Sequence, residues 1–513
     1  MQPSISSLFA FLAAPAWPRL QAGLLIGLGI LCLVPERAGC AGQRRPNPKP
    51  NVLFLICDDL NCNLGCYGHP IVRSPHIDRL AARGVRFESA FCQYPLCGPS
   101  RASLMTGLAP DQTLVRKNGV AIRDHVPNVQ TLAQMFRHHG YQATRIGKIF
   151  HYGVPSQIGT SGVDDPDSWD DTINPRGRDK DDEPLIFSVK RGEYGGYVSW
   201  LAADGVDAEQ TDGIAATAAA RLIKEYTQQD RQFFLAVGLY RPHTPYIAPQ
   251  RYFAMYPPDA NTVPVIPEGY LETLPQPARK SLTRKPEHYR MAEGLARHAM
   301  QAYYASITFA DAQVGRVLDA LDDSGAADNT IVVFTSDHGY HTGEHGHWLK
   351  TTLFEDAARV PLIFAGPGVP AVGESTLSIA ELVDLYPTLA ELCGLTAPPG
   401  LAGVSLAPTL KDVSVAPRTS ALTQLQDNNY TIRTVDSRYT EWGENGGEGV
   451  EFYDRTSDPA EMVNLAADPR HAETIARLSL LLRARIESAR KAPIGVTQIR
   501  VSGEQSAAGQ TDR

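Results

Sequence analysis

The 513-residue sequence lacks the features that mark several large protein classes. It has no surplus of positive charge: 48 Lys and Arg stand against 56 Asp and Glu, a formal net charge of −8. A general grip on nucleic acid needs a basic face, so that class is set aside. The apolar run AGLLIGLGILCLV after Arg19 is too short for a comfortable membrane span. There is no internal repeat, which excludes a solenoid. The eight cysteines form no paired Cys-x-x-Cys units, which argues against a structural zinc site. With 43% hydrophobic and 20% charged residues, the rest describes an ordinary globule of enzyme size. It is long enough for one large α/β domain and a smaller one.

At the amino end, Arg19, the short apolar run and the small residues Ala38, Gly39 and Ala41 form a secretory signal pattern. Residues 1–41 are expected to be a signal peptide, followed by a Pro-rich linker over 42–50; a retained anchor is the alternative. The expected location is secreted or periplasmic, with no membrane span after cleavage. Without Cys32 and Cys40, the mature chain keeps Cys57, Cys62, Cys66, Cys92, Cys97 and Cys393. If Cys97 has a chemical role, five are left, and no complete disulfide framework follows.

From Asn51 the chain alternates apolar runs with helical patterns. NVLFLIC, the run through Ala143 to Ile146, RQFFLAVGLY, NTIVVFTSD and VPLIFAGPG read as buried strands. SPHIDRLAARGVRF reads as a helix capped by Ser74, with Pro75 in its first turn and Gly84 as its stop. TLAQMFRHHG and ITFADAQVGRVLDALDDSG are further helices. The alternation predicts an α/β fold with a doubly wound sheet covered by helices over 51–415. A C-terminal α+β subdomain is expected over 416–492, ending in ETIARLSLLLRARIESAR, with a disordered tail over 493–513. The aperiodic stretches Gly153–Gly213 and Pro257–Pro286 read as insertions of the kind that wall a substrate pocket.

Ligands of such sheets bind beyond the carboxyl ends of the strands. One strand ends in Asp58-Asp59 and another in Asp337-His338. Each pair alone also fits a helix or turn cap. Together they place three carboxylates at one edge, where mutual repulsion calls for a hard divalent cation. Oxygen ligands favour Ca²⁺ or Mg²⁺, with His338 as an unusual nitrogen donor. Lys148 and His151 (in GKIFH), His243 (in RPHTPY) and Lys350 (in GEHGHWLK) follow strand ends or lie on loops at that edge. With Arg101 they would ring a pocket for a tetrahedral oxyanion ester. Cys97 and Arg101, four residues apart in CGPSRASLMTG, would share one face of a helix.

Cys97-Gly98-Pro99-Ser100-Arg101, continued by Ala102, Leu104, Thr106 and Gly107, resembles the signature of type I sulfatases, in the alkaline-phosphatase-like superfamily. LGCYGHPIVRSPHIDRLA, GKIFH, FFLAVGLYRPHTPY, TSDHGYHTGEHGHWLK and YTIRTVDSRYTEW extend the resemblance to the iduronate-2-sulfatase branch. It implies a large mixed, mostly parallel sheet covered by helices. It also implies that a formylglycine-generating maturation enzyme oxidises Cys97 to formylglycine, whose hydrate is the nucleophile. Pro99 and Arg101 would belong to the maturation signal, and Arg101 would also steady the diol oxygen. Asp58, Asp59, Asp337 and His338, with the Cys97-derived oxygen, would be Ca²⁺ ligands, Mg²⁺ being the lesser choice. Lys148 and Lys350 would hold sulfate oxygens, His151 would orient or deprotonate the diol, and His243 would serve the leaving group. The substrate would be a sulfated saccharide.

Two alternatives accompany this reading. One is a phosphonate monoester or phosphodiester hydrolase of the same superfamily, and the other is a non-catalytic binder of sulfated glycans. Among the other residues, Cys57 reads as strand core and His138-His139 as partners of a helix carboxyl end. His345 and His347 read as pocket-side contacts or solvated loop residues, and Trp348 as a sugar platform or a packing residue.

Overall fold

The computed structural model describes residues 49–500. The expected signal peptide, its cleavage site and most of the linker lie outside the described residues, as do residues 501–513 of the expected tail. Among the described residues no helix is long and apolar enough to cross a membrane.

The principal sheet has eight strands: β1 (Asn51–Asp58), β2 (Gly84–Phe91), β3 (Gln142–Gly147), β4 (Asp171–Ile173), β5 (Phe233–Pro242), β6 (Thr330–Ser336), β7 (Arg359–Ala365) and β8 (Glu374–Glu381). Their spatial order is β8-β2-β7-β6-β1-β5-β3-β4. Only β7 runs antiparallel to its neighbours, β2 and β6; the other pairings are parallel. The sheet is therefore mixed and mostly parallel, as the resemblance implies.

The continuous apolar runs follow from burial on both faces. In β1, Leu53, Leu55 and Cys57 enter one core, while Val52, Phe54 and Ile56 enter the other. The first core is closed by α1 (Pro75–Ala81), α4 (Thr211–Gln228) and α5 (Glu293–Ser324), through residues such as Ile77, Ile223 and Val314. The second is closed by α2 (Cys97–Thr106), α3 (Leu132–His138) and α6 (Leu385–Leu392), through Leu104, Phe136 and Leu389.

Two local expectations change. Ser74 precedes α1, but its side chain does not cap the helix. Its Oγ accepts from Gly65 N–H (2.8 Å) and pairs with Asp78 Oδ1 (3.0 Å). The free amides of His76 and Ile77 are met instead by Asp311 of α5, with Ile77 N–H 2.8 Å from Oδ1. A long-range carboxylate thus takes over from the local hydroxyl. Gly84 lies past the end of α1 and opens β2; a Cβ there would stand 2.0 Å from the Phe364 carbonyl oxygen.

The C-terminal region is a four-stranded antiparallel sheet: β9 (Ala421–Leu425), β10 (Asn429–Arg433), β11 (Ser437–Trp442) and β12 (Gly449–Asp454). The segment YTIRTVDSRYTEW supplies two of these strands as a hairpin. α7 (Ala472–Arg490) covers the sheet, packing Leu478 and Leu482 near Ile432, Tyr439 and Phe452. Beyond it, Ile499 N–H donates to the His125 carbonyl at 2.7 Å, so this stretch runs back along the main body.

Candidate active site

The carboxyl ends of β1, β3, β5 and β6, the amino end of α2 and the loop that carries Lys350 bring nine of the expected side chains together. Asp58 closes β1, and Asp59 follows it with a left-handed backbone (φ 62°) that turns its carboxylate into the site. The turn is held from below: Tyr303 on α5 donates its hydroxyl to the Asp59 carbonyl at 2.8 Å. Asp337 and His338 follow β6, and Asp337 Oδ1 accepts the Asp59 N–H at 3.1 Å. Cys97 is the first residue of α2.

Gly98 is required where it stands. Its N–H donates to Asn118 Oδ1 at 2.8 Å, and a Cβ would lie only 2.9 Å from that oxygen. The helix start can therefore press against the 117–118 backbone and aim Cys97 at the sheet edge.

Arg101 is fully buried and spends its whole fork on this edge. Nε donates to Asp337 Oδ2 (2.9 Å) and Nη2 to Asp58 Oδ1 (3.0 Å), while Nη1 reaches the carbonyls of Lys148 (2.6 Å) and Ile149 (3.0 Å). Ser100 adds a hydroxyl bond to the Asp337 carbonyl. Lys148 Nζ lies 2.6 Å from Asp58 Oδ2, and Lys350 Nζ lies 2.5 Å from Asp59 Oδ1. Around the Cys97 sulfur stand His338 Nε2 (3.3 Å), Lys350 Nζ (3.3 Å) and Asp59 Oδ1 (3.7 Å).

This changes the argument for a metal. Asp58, Asp59 and Asp337 face Arg101, Lys148 and Lys350, so side chains already balance the carboxylate charge, and repulsion alone demands no ion. Other observations fit one. Asp59 Oδ2 is buried without a hydrogen-bond partner among the described residues. His338 Nδ1 lies 2.8 Å from the Gly339 carbonyl, which fixes the hydrogen there and turns the Nε2 lone pair inward. One ligand atom from each of Asp59, Cys97, Asp337 and His338 lies within 4.8 Å of the others. A second such set joins Asp58, Asp59 and Cys97 to His243. The expected ligands thus converge, and His243, assigned only to the leaving group, approaches them too.

Burial drives the titration behaviour, and neighbouring charges set its sign. It raises Asp58, yet Lys148, His243, Arg101 and Lys350 outweigh it and hold that carboxyl well below its usual range. For Asp59 burial wins over Lys350 and His338, and the pKa is raised. Burial lifts the Cys97 thiol well above its usual value, so this sulfur is a poor thiolate nucleophile. Burial, with Lys350 for His243 and Lys148 for His151, pushes both imidazoles well below theirs.

Above this cluster opens a cavity of about 660 Å³ whose floor includes Asp59, His243 and Lys350. His243 Nδ1 lies 2.5 Å from the Thr244 carbonyl, leaving Nε2 to face Asp59 Oδ2 at 3.7 Å. His151 lines the wall, its Nδ1 without a hydrogen bond, and is the expected residue not joined to the Cys97 cluster. Both aperiodic stretches contribute, through residues such as Tyr194, Tyr197 and Arg284. His345 and His347 are buried rather than solvated, and His345 stacks on Phe354 with ring centroids 4.0 Å apart. Trp348 is a core residue. Asn118 and Tyr303, which support the cluster, were not singled out from sequence, and Ser100 was named only as part of the Cys-x-Pro-Ser-Arg run, with no role.

The sequence profile described as Sulfatase matches residues 50–395, and one described as N-sulphoglucosamine sulphohydrolase, C-terminal, matches 343–488. A protein named sulfatase from Formosa agariphila is 35% identical over 476 residues, covering 90% of this chain and 91% of its own. Iduronate 2-sulfatase of Mus musculus is 34% identical over 424 residues, covering 75% of each. Among solved structures, a phosphonate monoester hydrolase from Silicibacter pomeroyi superimposes with a TM-score of 0.71 at 23% identity, over 86% of this chain and 96% of that one. That likeness shows the shared fold.

Proposed function

The chain belongs to the sulfatase family of sulfuric ester hydrolases, and on that premise we propose that it cleaves sulfate from a saccharide through a formylglycine hydrate made from Cys97. The observation that carries this reading is the position of the Cys97 sulfur, 3.3 Å from both Lys350 Nζ and His338 Nε2 at the head of α2. Its neutral, buried thiol suits a precursor better than a working thiolate. Arg101, inside the Cys-x-Pro-Ser-Arg sequence, is the buried strut of the same cluster.

The maturation enzyme would convert the Cys97 side chain to an aldehyde, and addition of water would give two geminal hydroxyls. One hydroxyl oxygen forms a bond to sulfur as the sulfur–alkoxide bond breaks. Its proton passes to a neighbouring base, with His151 in that role, and the leaving alkoxide takes a proton from His243 Nε2. That nitrogen has one to give only once bound anionic substrate offsets the burial and the Lys350 charge that hold this imidazole neutral. Loss of the second hydroxyl proton then restores the C=O bond, and the first C–O bond breaks to release sulfate. A thiol has no second hydroxyl and cannot follow this exit. Lys148 and Lys350 hold the sulfate oxygens throughout, and Lys350 stays cationic because Asp59 offsets the cost of its burial.

Asp58, Asp59, Asp337 and His338, with the Cys97-derived oxygen, would hold a Ca²⁺ ion, which when bound places further positive charge against the sulfate. Mostly oxygen donors favour Ca²⁺ over Mg²⁺, which demands a stricter geometry. The likeness to iduronate 2-sulfatase supports a sulfated sugar of that general kind as substrate. The signal pattern before residue 42 supports export.

Rates on an aryl sulfate and an aryl phosphodiester test the reading against the phosphonate-hydrolase alternative. Preference for the sulfate is expected; a strong preference for the phosphodiester overturns it.

A further inference from the structure

The two turns that carry the expected cation ligands are held by side chains that take no part in the chemistry. Asp59 is a non-glycine residue at φ 62°, a backbone that persists only where its surroundings over-determine it. Three successive amides of this turn are taken up by side chains. Asp59 N–H donates to Asp337 Oδ1 at 3.1 Å and Leu60 N–H to Ser336 Oγ at 2.9 Å. Asn61 N–H donates to the Tyr303 hydroxyl oxygen at 3.1 Å. Ser336 and Asp337 stand at the second ligand-bearing strand end, whereas Tyr303 comes from α5.

Tyr303 is fully buried, and both roles of its hydroxyl are fixed. The oxygen accepts the Asn61 amide, so its own hydrogen is left for the Asp59 carbonyl at 2.8 Å. One phenol therefore closes the 59–61 turn at both ends. Asn61 carries the hold across to the other turn. Its Nδ2 donates at 3.0 Å to the carbonyl of Tyr340, two residues past His338. Its Oδ1 accepts Asn63 N–H at 3.0 Å, which sets the end of the amide that faces Tyr340. The Tyr340 and Tyr303 rings stack, with centroids 5.1 Å apart and planes 11° from parallel. Neither Tyr303 nor Asn61 belongs to the converging set of Asp59, Cys97, Asp337 and His338.

We propose that Tyr303 and Asn61 are positioning residues that set the cation affinity of this site, by clamping the Asp59 turn to the His338 turn. The clamp rests on the metal reading above, and it keeps the ligands converged before a cation arrives. Without it the Asp59 backbone relaxes from its left-handed conformation, and the carboxylate turns away from Asp337 and His338. Binding must then restore the turn, which weakens it.

The test measures the calcium Kd of the matured enzyme after chelation, in calcium–EGTA buffers, from the rise in thermal midpoint. It compares wild type, Tyr303→Phe, Asn61→Ala and the double variant. Tyr303→Phe keeps the stacked ring and removes only the hydroxyl. Each single variant should bind calcium about ten- to a hundred-fold more weakly, the usual range for partners that orient ligands. The double variant should lose little more than the weaker-binding single one, because both act through one clamp. Sulfatase activity of the variants should fall at limiting calcium and return at saturating calcium, a rescue that a general packing defect would not show. Tyr246→Phe is the control: it removes a hydroxyl that pairs with the Tyr340 hydroxyl at 2.6 Å and bonds to neither turn's backbone. It should lower the thermal midpoint of the calcium-free enzyme and leave the calcium Kd unchanged. Asn61→Ala, which keeps every tyrosine, decides the matter if Tyr303→Phe does not fold. An unchanged Kd in the single variants, fully additive losses in the double one, or an equal loss in Tyr246→Phe would overturn the clamp while the metal reading stands. A wild type with no calcium response would overturn the metal reading, and the clamp with it.

Discussion

Arg101 Nε donates to Asp337 Oδ2 at 2.9 Å, joining the first turn of the Cys97 helix to the end of strand β6. The same guanidinium reaches Asp58 and two carbonyls after β3, so one side chain ties three strand ends to the helix that begins with Cys97. Its position is set by long-range contacts, over more than two hundred residues of chain in the case of Asp337.

Arg101→Lys should therefore damage the scaffold as well as the chemistry. A lysine cannot serve both carboxylates and both carbonyls in that planar pattern. Lysine keeps the charge, but each buried acceptor it leaves unpaired typically costs about 1–3 kcal/mol. Chemical denaturation should show a loss of that order, together with nearly complete loss of sulfatase activity. Unchanged stability would show that the guanidinium is dispensable as a strut.

Lys350→Ala should separate catalysis from folding. Losing a preorganised donor at a developing oxyanion typically lowers kcat about 100- to 1000-fold. Steady-state kinetics on an aryl sulfate should show that fall, with the protein still folded by circular dichroism. A change confined to KM would move Lys350 from the reacting sulfate to plain binding.

Metal dependence should follow the orphaned oxygen of Asp59. Chelation by EGTA should lower activity and the thermal midpoint, and Ca²⁺ should restore both better than Mg²⁺. In Asp59→Asn the calcium-dependent rise in the midpoint should shrink sharply. An equal calcium response in that variant would remove Asp59 from the ligand set.

Stability should also vary with pH far from the active site. Glu451 accepts Trp442 Nε1–H at 2.5 Å and the Tyr453 hydroxyl at 2.6 Å, and burial pushes its carboxyl up to about 7. A group whose folded pKa is raised stabilises the fold while it is protonated, and that contribution is lost as pH rises through the folded value. From pH 5 to 8, wild-type stability should fall more than that of Glu451→Gln, which stays neutral throughout. Parallel pH profiles in denaturant unfolding would contradict the assignment.

Much of this site was legible because it lies where sequence pattern and sheet geometry meet. Apolar runs ending in Asp58-Asp59 and Asp337-His338 marked two neighbouring strands, and both are buried on each face. What sequence could not supply was partnership across the chain. Lys148 and Lys350 were not legible as counter-charges to the carboxylates, because their contacts span 90 and 291 residues. Ser74 looked like a helix cap, but the carboxylate that caps α1 comes from Asp311, 234 residues away from Ile77.

The most direct measurement is mass spectrometry of the peptide spanning Cys97, taken from enzyme whose activity on a sulfate ester has been recorded. Conversion of cysteine to formylglycine replaces CH₂SH by CHO, and the modified fraction should rise in proportion to specific activity across preparations. The Cys97→Ala variant, which cannot be converted, should be inactive. Full activity with unmodified Cys97, or in Cys97→Ala, would contradict the formylglycine mechanism.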